Sequence, residues 1–235
     1  MSTFLAGVQK LAREAGAAGV PSTVVSQTGE SKRLVDWYID AYTEIQNRHK
    51  WKWMRYGFTV DTTSGDDSYA YGDCTDLGTS APITRFNDWR LNDDYDPPKI
   101  YLTSAGVGGE RWLIYTAWDD FKRVYKIGAQ SANTGAPAHI TVDPQNNIML
   151  GPSPNGIYTL TGDYYRSDQV LAADADVPEM PTQFHNLIVY KALEKYARYE
   201  EAQLLFNMAS VEVKRLTRQL ERNQMAGFGA SPPLA

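Results

Sequence analysis

The apolar positions of the chain change period twice. Phe4, Leu5, Val8, Leu11, Ala12 and Ala15 recur at spacings of three and four, which predicts an amphipathic helix over about residues 3–16. Lys10, Arg13 and Glu14 fall off that stripe, and Gly16 and Gly19 end it. A second helix is expected over about residues 29–50, with Leu34, Trp37, Tyr38, Ala41 and Ile45 inward, Thr28 as its cap and Glu30 in its first turn. Trp51-Lys52-Trp53-Met54 closes it, and the two indoles are read as core anchors in preference to a stacking platform for bases.

From about residue 55 the period drops to two and β-formers dominate. Strands are predicted at Tyr56–Val60, Ile83–Phe86, Ile100–Thr103, Trp112–Thr116, Phe121–Ile127, His139–Val142, Asn147–Leu150 and Ile157–Tyr165. Turn residues separate them, among them Ser64-Gly65-Asp66-Asp67, Asp96-Pro97-Pro98, Gly108-Gly109 and Asp143-Pro144-Gln145-Asn146. Many short strands joined by short loops predict an antiparallel sandwich or small barrel. After Pro178 and Pro181 the helical period returns. No Gly or Pro interrupts residues 182–225, which predicts one helix of roughly 60 Å at 1.5 Å per residue. Residues 227–235 have the composition of a tail.

The expected fold class is therefore α+β. Residues 1–54 and 171–226 form a helical domain of two N-terminal helices and one long C-terminal helix. Residues 55–170 form an inserted β-sandwich or barrel-like domain, and residues 227–235 form an extended tail.

Composition narrows the function. At 43% hydrophobic and 22% charged, the chain carries enough apolar mass for a buried core. Its net charge of −5 argues against a dedicated nucleic-acid binder, which presents a basic face. The 15 Tyr and 6 Trp suit interfaces as well as cores. One cysteine, Cys74, leaves no disulfide framework. The apolar run Phe4–Val8 is too short and too soon followed by charge for a signal peptide, and no membrane span is expected, so the chain is expected to stay in the cytoplasm where it is made.

Catalytic patterns are missing. His49, His139 and His185 sit far apart, and no His-x-x-x-His or Cys-x-x-Cys spacing occurs, so neither a metal nor another cofactor is expected. Gly106–Gly109 lacks the Lys-Ser/Thr of a phosphate loop and reads as a hairpin turn. The paired acids Asp93-Asp94 and Asp119-Asp120, near Trp89, Trp112 and Trp118, support one alternative: a carbohydrate-binding or glycoside-hydrolase-like domain. Adjacent acids on a strand point to opposite faces, so solvated turns explain them better. The chain is read as no enzyme.

The order of the pieces carries a resemblance. Leu11-Ala12-Arg13-Glu14-Ala15-Gly16, Gly29-Glu30, Arg33-Leu34-Val35-Asp36-Trp37 and Trp51-Lys52-Trp53-Met54 open the chain. Leu150-Gly151-Pro152-Ser153-Pro154, Tyr164-Tyr165-Arg166 and Asp176-Val177-Pro178-Glu179-Met180-Pro181 leave the sheet. His185-Asn186-Leu187-Ile188-Val189 and Ala192-Leu193-Glu194-Lys195-Tyr196-Ala197 begin the last helix. This pattern, over nearly the whole chain, resembles the head-to-tail adaptor (head-completion, connector) proteins of tailed bacteriophages, especially the short-tailed podovirus type.

The resemblance implies a virion structural protein at the head–tail junction, assembled in the host cytoplasm. It implies a homo-oligomeric ring, commonly a dodecamer, under the portal protein. Tail, nozzle or tail-fibre proteins would lie below, and DNA would pass through the lumen without specific binding. It makes Arg215, Arg218, Arg222, Phe228 and Leu234 candidate portal contacts, and Trp89, Trp112 and Trp118 candidate tail-facing residues.

Overall fold

The computed structural model describes residues 2–225. Phe228 and Leu234, and the tail expected over 227–235, lie outside the described residues. The chain is α+β, and the described residues hold five α-helices: α1 (Phe4–Ala15), α2 (Gly29–Gln46), α3 (Trp118–Tyr125), α4 (His185–Tyr199) and α5 (Gln203–Gln224). It divides into a helical unit, up to Trp53 and from Asp168 onward, and a β-rich unit, Met54–Ser167.

In the helical unit, Thr3 Oγ1 accepts the Ala6 amide at 3.2 Å and satisfies a donor that the first turn of α1 leaves free. Gly16 ends the helix with φ 67°, in the left-handed region where a Cβ is costly. The Ala17 amide reaches back to Ala12 O at 3.0 Å. Phe4, Val8, Leu11 and Ala12 are buried, as the stripe predicted.

Helix α2 stops at Gln46, earlier than residue 50, and the Thr28 hydroxyl makes no capping bond. The indole N–H of fully buried Trp51 donates to Ile45 O at 2.7 Å, which pairs one of the carbonyls orphaned at the helix end. Trp51 stacks on Trp53 with ring centres 4.8 Å apart. The segment before α4 is tied to α2 by the Gln46 side-chain amide and to α1 by backbone amides. Gln46 Nε2 donates to Gln169 O at 3.2 Å, and Gln46 Oε1 accepts the Gln169 amide at 2.7 Å. The Phe4 amide donates to Asp176 O at 2.7 Å.

The single helix predicted over residues 182–225 is two helices. A 3-10 turn at Thr182–Phe184 leads into α4, and the chain reverses at Glu200–Ala202 before α5. Glu201 takes φ 54°, the Glu201 amide points to Arg198 O and the Ala202 amide donates to Ala197 O at 2.9 Å. This is the hydrogen-bond pattern of a glycine-type helix stop, made here by glutamate. Helix α5 then folds back along α4: Ser210 Oγ donates to Glu194 Oε1 at 2.6 Å, and Arg198 lies over the Phe206 ring.

In the β-rich unit, the strand Tyr158–Tyr165 is the spine of a seven-stranded sheet. It pairs antiparallel with Arg55–Asp61 over the whole length of that strand, from Arg55↔Tyr165 to Asp61↔Thr159. It also pairs with Lys99–Leu102 and Asp88–Arg90. Arg111–Trp112 and Ala81–Pro82 form the two edges. A second sheet orders Ser68–Tyr69, Ile148–Gly151, His139–Val142 and Ile114–Tyr115, the last pair parallel. Phe58, Ile100, Leu160, Ile140, Ile148 and Leu150, from both sheets, share one buried cluster, the two-layer core expected of a sandwich.

Three predicted strands differ. Trp112–Thr116 is split: Arg111–Trp112 is an edge of the first sheet and Ile114–Tyr115 pairs in the second. Phe121–Ile127 is not a strand: residues 118–125 are α3, because Asp119 and Asp120 fall in its first turn and Phe121 and Tyr125 pack together one turn apart on one face. Ile83–Phe86 is not a strand either. Ile83 is buried and its amide donates to Cys74 O at 3.0 Å, while the flanking pairs Ala81–Pro82 and Asp88–Arg90 carry the ladder.

Candidate functional site

Helix α5 is buried along one narrow line and exposed along the opposite one. Ala209, Leu216 and Leu220 are its buried residues. On the outer side Leu204, Met208 and Val211 are 76%, 62% and 64% exposed. Arg215, Arg218 and Arg222, also exposed, continue that line toward the C-terminus. The spacing from Leu204 to Arg222 alternates four and three residues, which keeps all six on one helix face. Half of the face is apolar and half is basic.

The local chemistry explains the split. The helix macrodipole leaves partial negative charge at the C-terminal end, where the arginines complement it. Glu212 holds Arg215 with contacts of 2.6 and 3.1 Å, which keeps that guanidinium extended along the surface and its pKa above the ordinary value. No helical propensity requires Leu204, Met208 and Val211 to stand in water. Adjacent apolar side chains exposed on one face mark a surface that another molecule covers.

The seat of α5 is loosely filled. A cavity of about 340 Å³ lies between the end of α2, α4 and α5, with Ile45, Trp51, Leu187, Val213 and Leu220 as apolar lining. Its rim is ionic: Lys191 meets Glu44 at 2.8 Å, and Arg48 meets Glu221 at 3.1 Å. His49 also lies 3.3 Å from Glu221.

The candidate tail-facing tryptophans lie in three different settings. Trp89 is a core residue at 6% exposure, its indole N–H donating to Asn146 O at 2.9 Å, so it offers no surface. Trp112 is 68% exposed on the edge strand Arg111–Trp112. Trp118 opens α3, half-buried over Phe121 with Lys122 above it. The three candidate arginines share one face, but the apolar residues that complete it escaped the sequence reading. Their four-three spacing was the available signal. It was absorbed into the single helix expected over residues 182–225.

The acids and histidines are engaged locally. Asp119 pairs with Lys122 and Asp120 with Arg123 at the surface of α3. Asp93 is held by Arg90 and accepts the Tyr95 and Asp96 amides. His139 Nδ1 meets Tyr125 Oη at 2.6 Å, and His185 Nε2 meets Met180 O at 2.9 Å. Cys74 is buried, and burial pushes its thiol up to about 12. Among the described residues no group of three or more His, Cys, Asp or Glu is placed to hold a metal ion. Among them, too, no helix is long and apolar enough to cross a membrane.

No curated protein matches the chain. The family model described as SU10 adaptor protein matches residues 2–231, nearly the full length. The chain belongs to the SU10 adaptor protein family, structural adaptors of bacteriophage.

Proposed function

We propose that the protein is a head-to-tail adaptor of the short-tailed type, forming a closed ring under the portal protein and a platform for the tail. The observation that carries this reading is the outer face of α5. Its apolar half, Leu204, Met208 and Val211, supplies buried area, and Arg215, Arg218 and Arg222 supply orientation toward an acidic partner. The portal is the partner assigned to that face. Trp112, exposed at a sheet edge, and Trp118, half-exposed on α3, are the tail-facing residues. They would meet the nozzle or tail-fibre proteins.

A ring makes weak contacts sufficient, because each closed neighbour contact raises the effective concentration for the next. A dodecamer is the proposed closure. DNA would leave through the lumen, and a chain of net charge −5 would repel phosphates more than it holds them. Native mass spectrometry of the chain mixed with the portal of the same phage tests the proposal. A closed complex with one adaptor per portal subunit supports it; a chain that stays monomeric beside intact portal rings overturns it.

A further inference from the structure

The turn between α4 and α5 contains no residue that requires a turn. Glu200, Glu201, Ala202 and Gln203 all favour helix, yet Glu201 is held at φ 54°, a conformation unfavourable for any residue with a Cβ. Glycine, the residue that adopts it freely, ends α1 in the same hydrogen-bond pattern. Closing the hairpin therefore works against the local sequence. Opening it would give one continuous helix of about 40 residues, roughly 60 Å long.

Helix α5 lies on its own chain along a narrow seam, with an ion pair from Glu221 to Arg48 and a hydrogen bond from Ser210 to Glu194. Only Ala209, Leu216 and Leu220 are buried among its residues, and the cavity of about 340 Å³ lies beneath it. The surface α5 covers cannot stand bare, since Ile45, Trp51 and Leu187 form an apolar floor. The element that covers it sets an acid beside Arg48, a hydroxyl beside Glu194 and leucines on the floor. Glu221, Ser210, Leu216 and Leu220 supply these in the closed chain. A second copy of α5 supplies the identical set.

The geometry points to exchange of α5 between neighbouring copies, with the hinge Glu200–Ala202 straightening and each α5 seated on the α2–α4 surface of the next subunit. The contacts of α5 away from the hinge are then recovered between chains, the hydrogen bonds of the turn give way to helical ones, and the left-handed residue is relieved. This inference rests on the ring reading and makes the ring interlocked instead of merely stacked side by side.

Crosslinking across the hydrogen bond between Glu194 and Ser210 tests it. A chain carrying Glu194→Cys and Ser210→Cys is separated by size into monomer and oligomer, and each fraction is treated with a short bismaleimide. Buried Cys74 does not compete. The expected result is crosslinks within one chain in the monomer and ladders of joined chains in the oligomer. Crosslinks confined to single chains in a genuine oligomer overturn the exchange and leave the ring reading standing. A chain that forms no oligomer at any concentration overturns the exchange, and the ring reading is then decided by the portal experiment alone. Glu201→Gly gives a second readout that does not depend on new cysteines. Glycine favours the closed turn, so the oligomer should dissociate at least threefold more readily while the monomer keeps its helix content. Unchanged dissociation counts against the exchange.

Discussion

Gly7 of α1 lies directly against the hydroxyl end of Tyr38 on α2: a Cβ built on Gly7 would stand 2.3 Å from Tyr38 Oη. Both residues are buried, and the Tyr38 hydroxyl has no hydrogen-bond partner among the described residues. Burial holds its pKa well above the usual tyrosine value. The close approach of α1 to α2 therefore depends on a missing methyl. Gly7→Ala gains helix propensity but forces the ring out of its seat. The overpacking cost of about 1–3 kcal/mol should win, lowering the midpoint in urea. Tyr38→Phe removes an unpaired buried hydroxyl and should be neutral or stabilising by about 1 kcal/mol in the same assay.

Asp76 sits at the centre of the β-rich unit's polar core. Its side chain is buried, accepts Tyr164 Oη at 2.5 Å and meets Arg166 at 2.5 Å, and its other oxygen caps the Gly78 amide at 2.6 Å. The Arg166 guanidinium also stacks over the Tyr56 ring at 3.5 Å. Burial alone would raise the Asp76 pKa, but the bonds from Tyr164, Arg166 and Gly78 outweigh it and hold the value below normal. The folded state thus releases this proton more readily than the unfolded chain, whose carboxyl titrates near about 3.9. The stabilisation is complete above that value and is lost as pH falls through the lowered folded one. Asp76→Asn should lower stability at neutral pH by about 1–3 kcal/mol, because the charged acceptor shared by Tyr164, Arg166 and the Gly78 amide is lost. The gap between wild type and variant in denaturant midpoints should narrow below about pH 4. A gap that stays constant into acid would show that the pair does not titrate as argued.

The α+β class was legible in the sequence because period and turn chemistry agree over long stretches. His139–Val142 is a strand at the residues read, and α1 differs from its expected span by one residue at each end. Three features were not legible. The C-terminal reversal was hidden because Glu201, not glycine, takes the left-handed position, so tertiary contacts override local preference there. Helix α3 was read as a strand because Phe121, Val124 and Tyr125 are β-formers, and their three-four spacing spans only two turns. Trp89 looked like a surface aromatic because its partner, the Asn146 carbonyl, is distant in sequence. At the candidate site the arginines were legible as charge. The apolar half was not, since exposure of Leu204, Met208 and Val211 follows only from where α5 folds back.

Glu201→Gly probes the turn in the isolated monomer. Relieving a left-handed residue bearing a Cβ should stabilise the helical unit by about 1 kcal/mol. Circular dichroism should register a higher melting temperature with no loss of helix. Glu201→Val should move the midpoint the other way, because a β-branched side chain tolerates φ 54° worse than glutamate does. If glycine lowers the melting temperature, Glu201 makes a favourable contact that outweighs its backbone cost.

The arginines and the apolar residues of α5 should fail in different ways when changed. Arg218→Glu with Arg222→Glu reverses two exposed charges near the C-terminal end of α5, so the loss of stability should stay below about 2 kcal/mol, the cost of placing anions at that end of the macrodipole. Their effect belongs to encounter: association with an immobilised portal should slow at least about tenfold at low salt, and the difference should shrink as salt screens both proteins. Leu204→Ser with Met208→Ser should instead leave association near its original rate and speed dissociation, because buried apolar area acts after contact forms. Surface plasmon resonance separates the two rates. Equal effects of both variants on association alone would mean that the apolar half of the face stays wet in the complex, and the assignment of α5 to the portal would reduce to its charge.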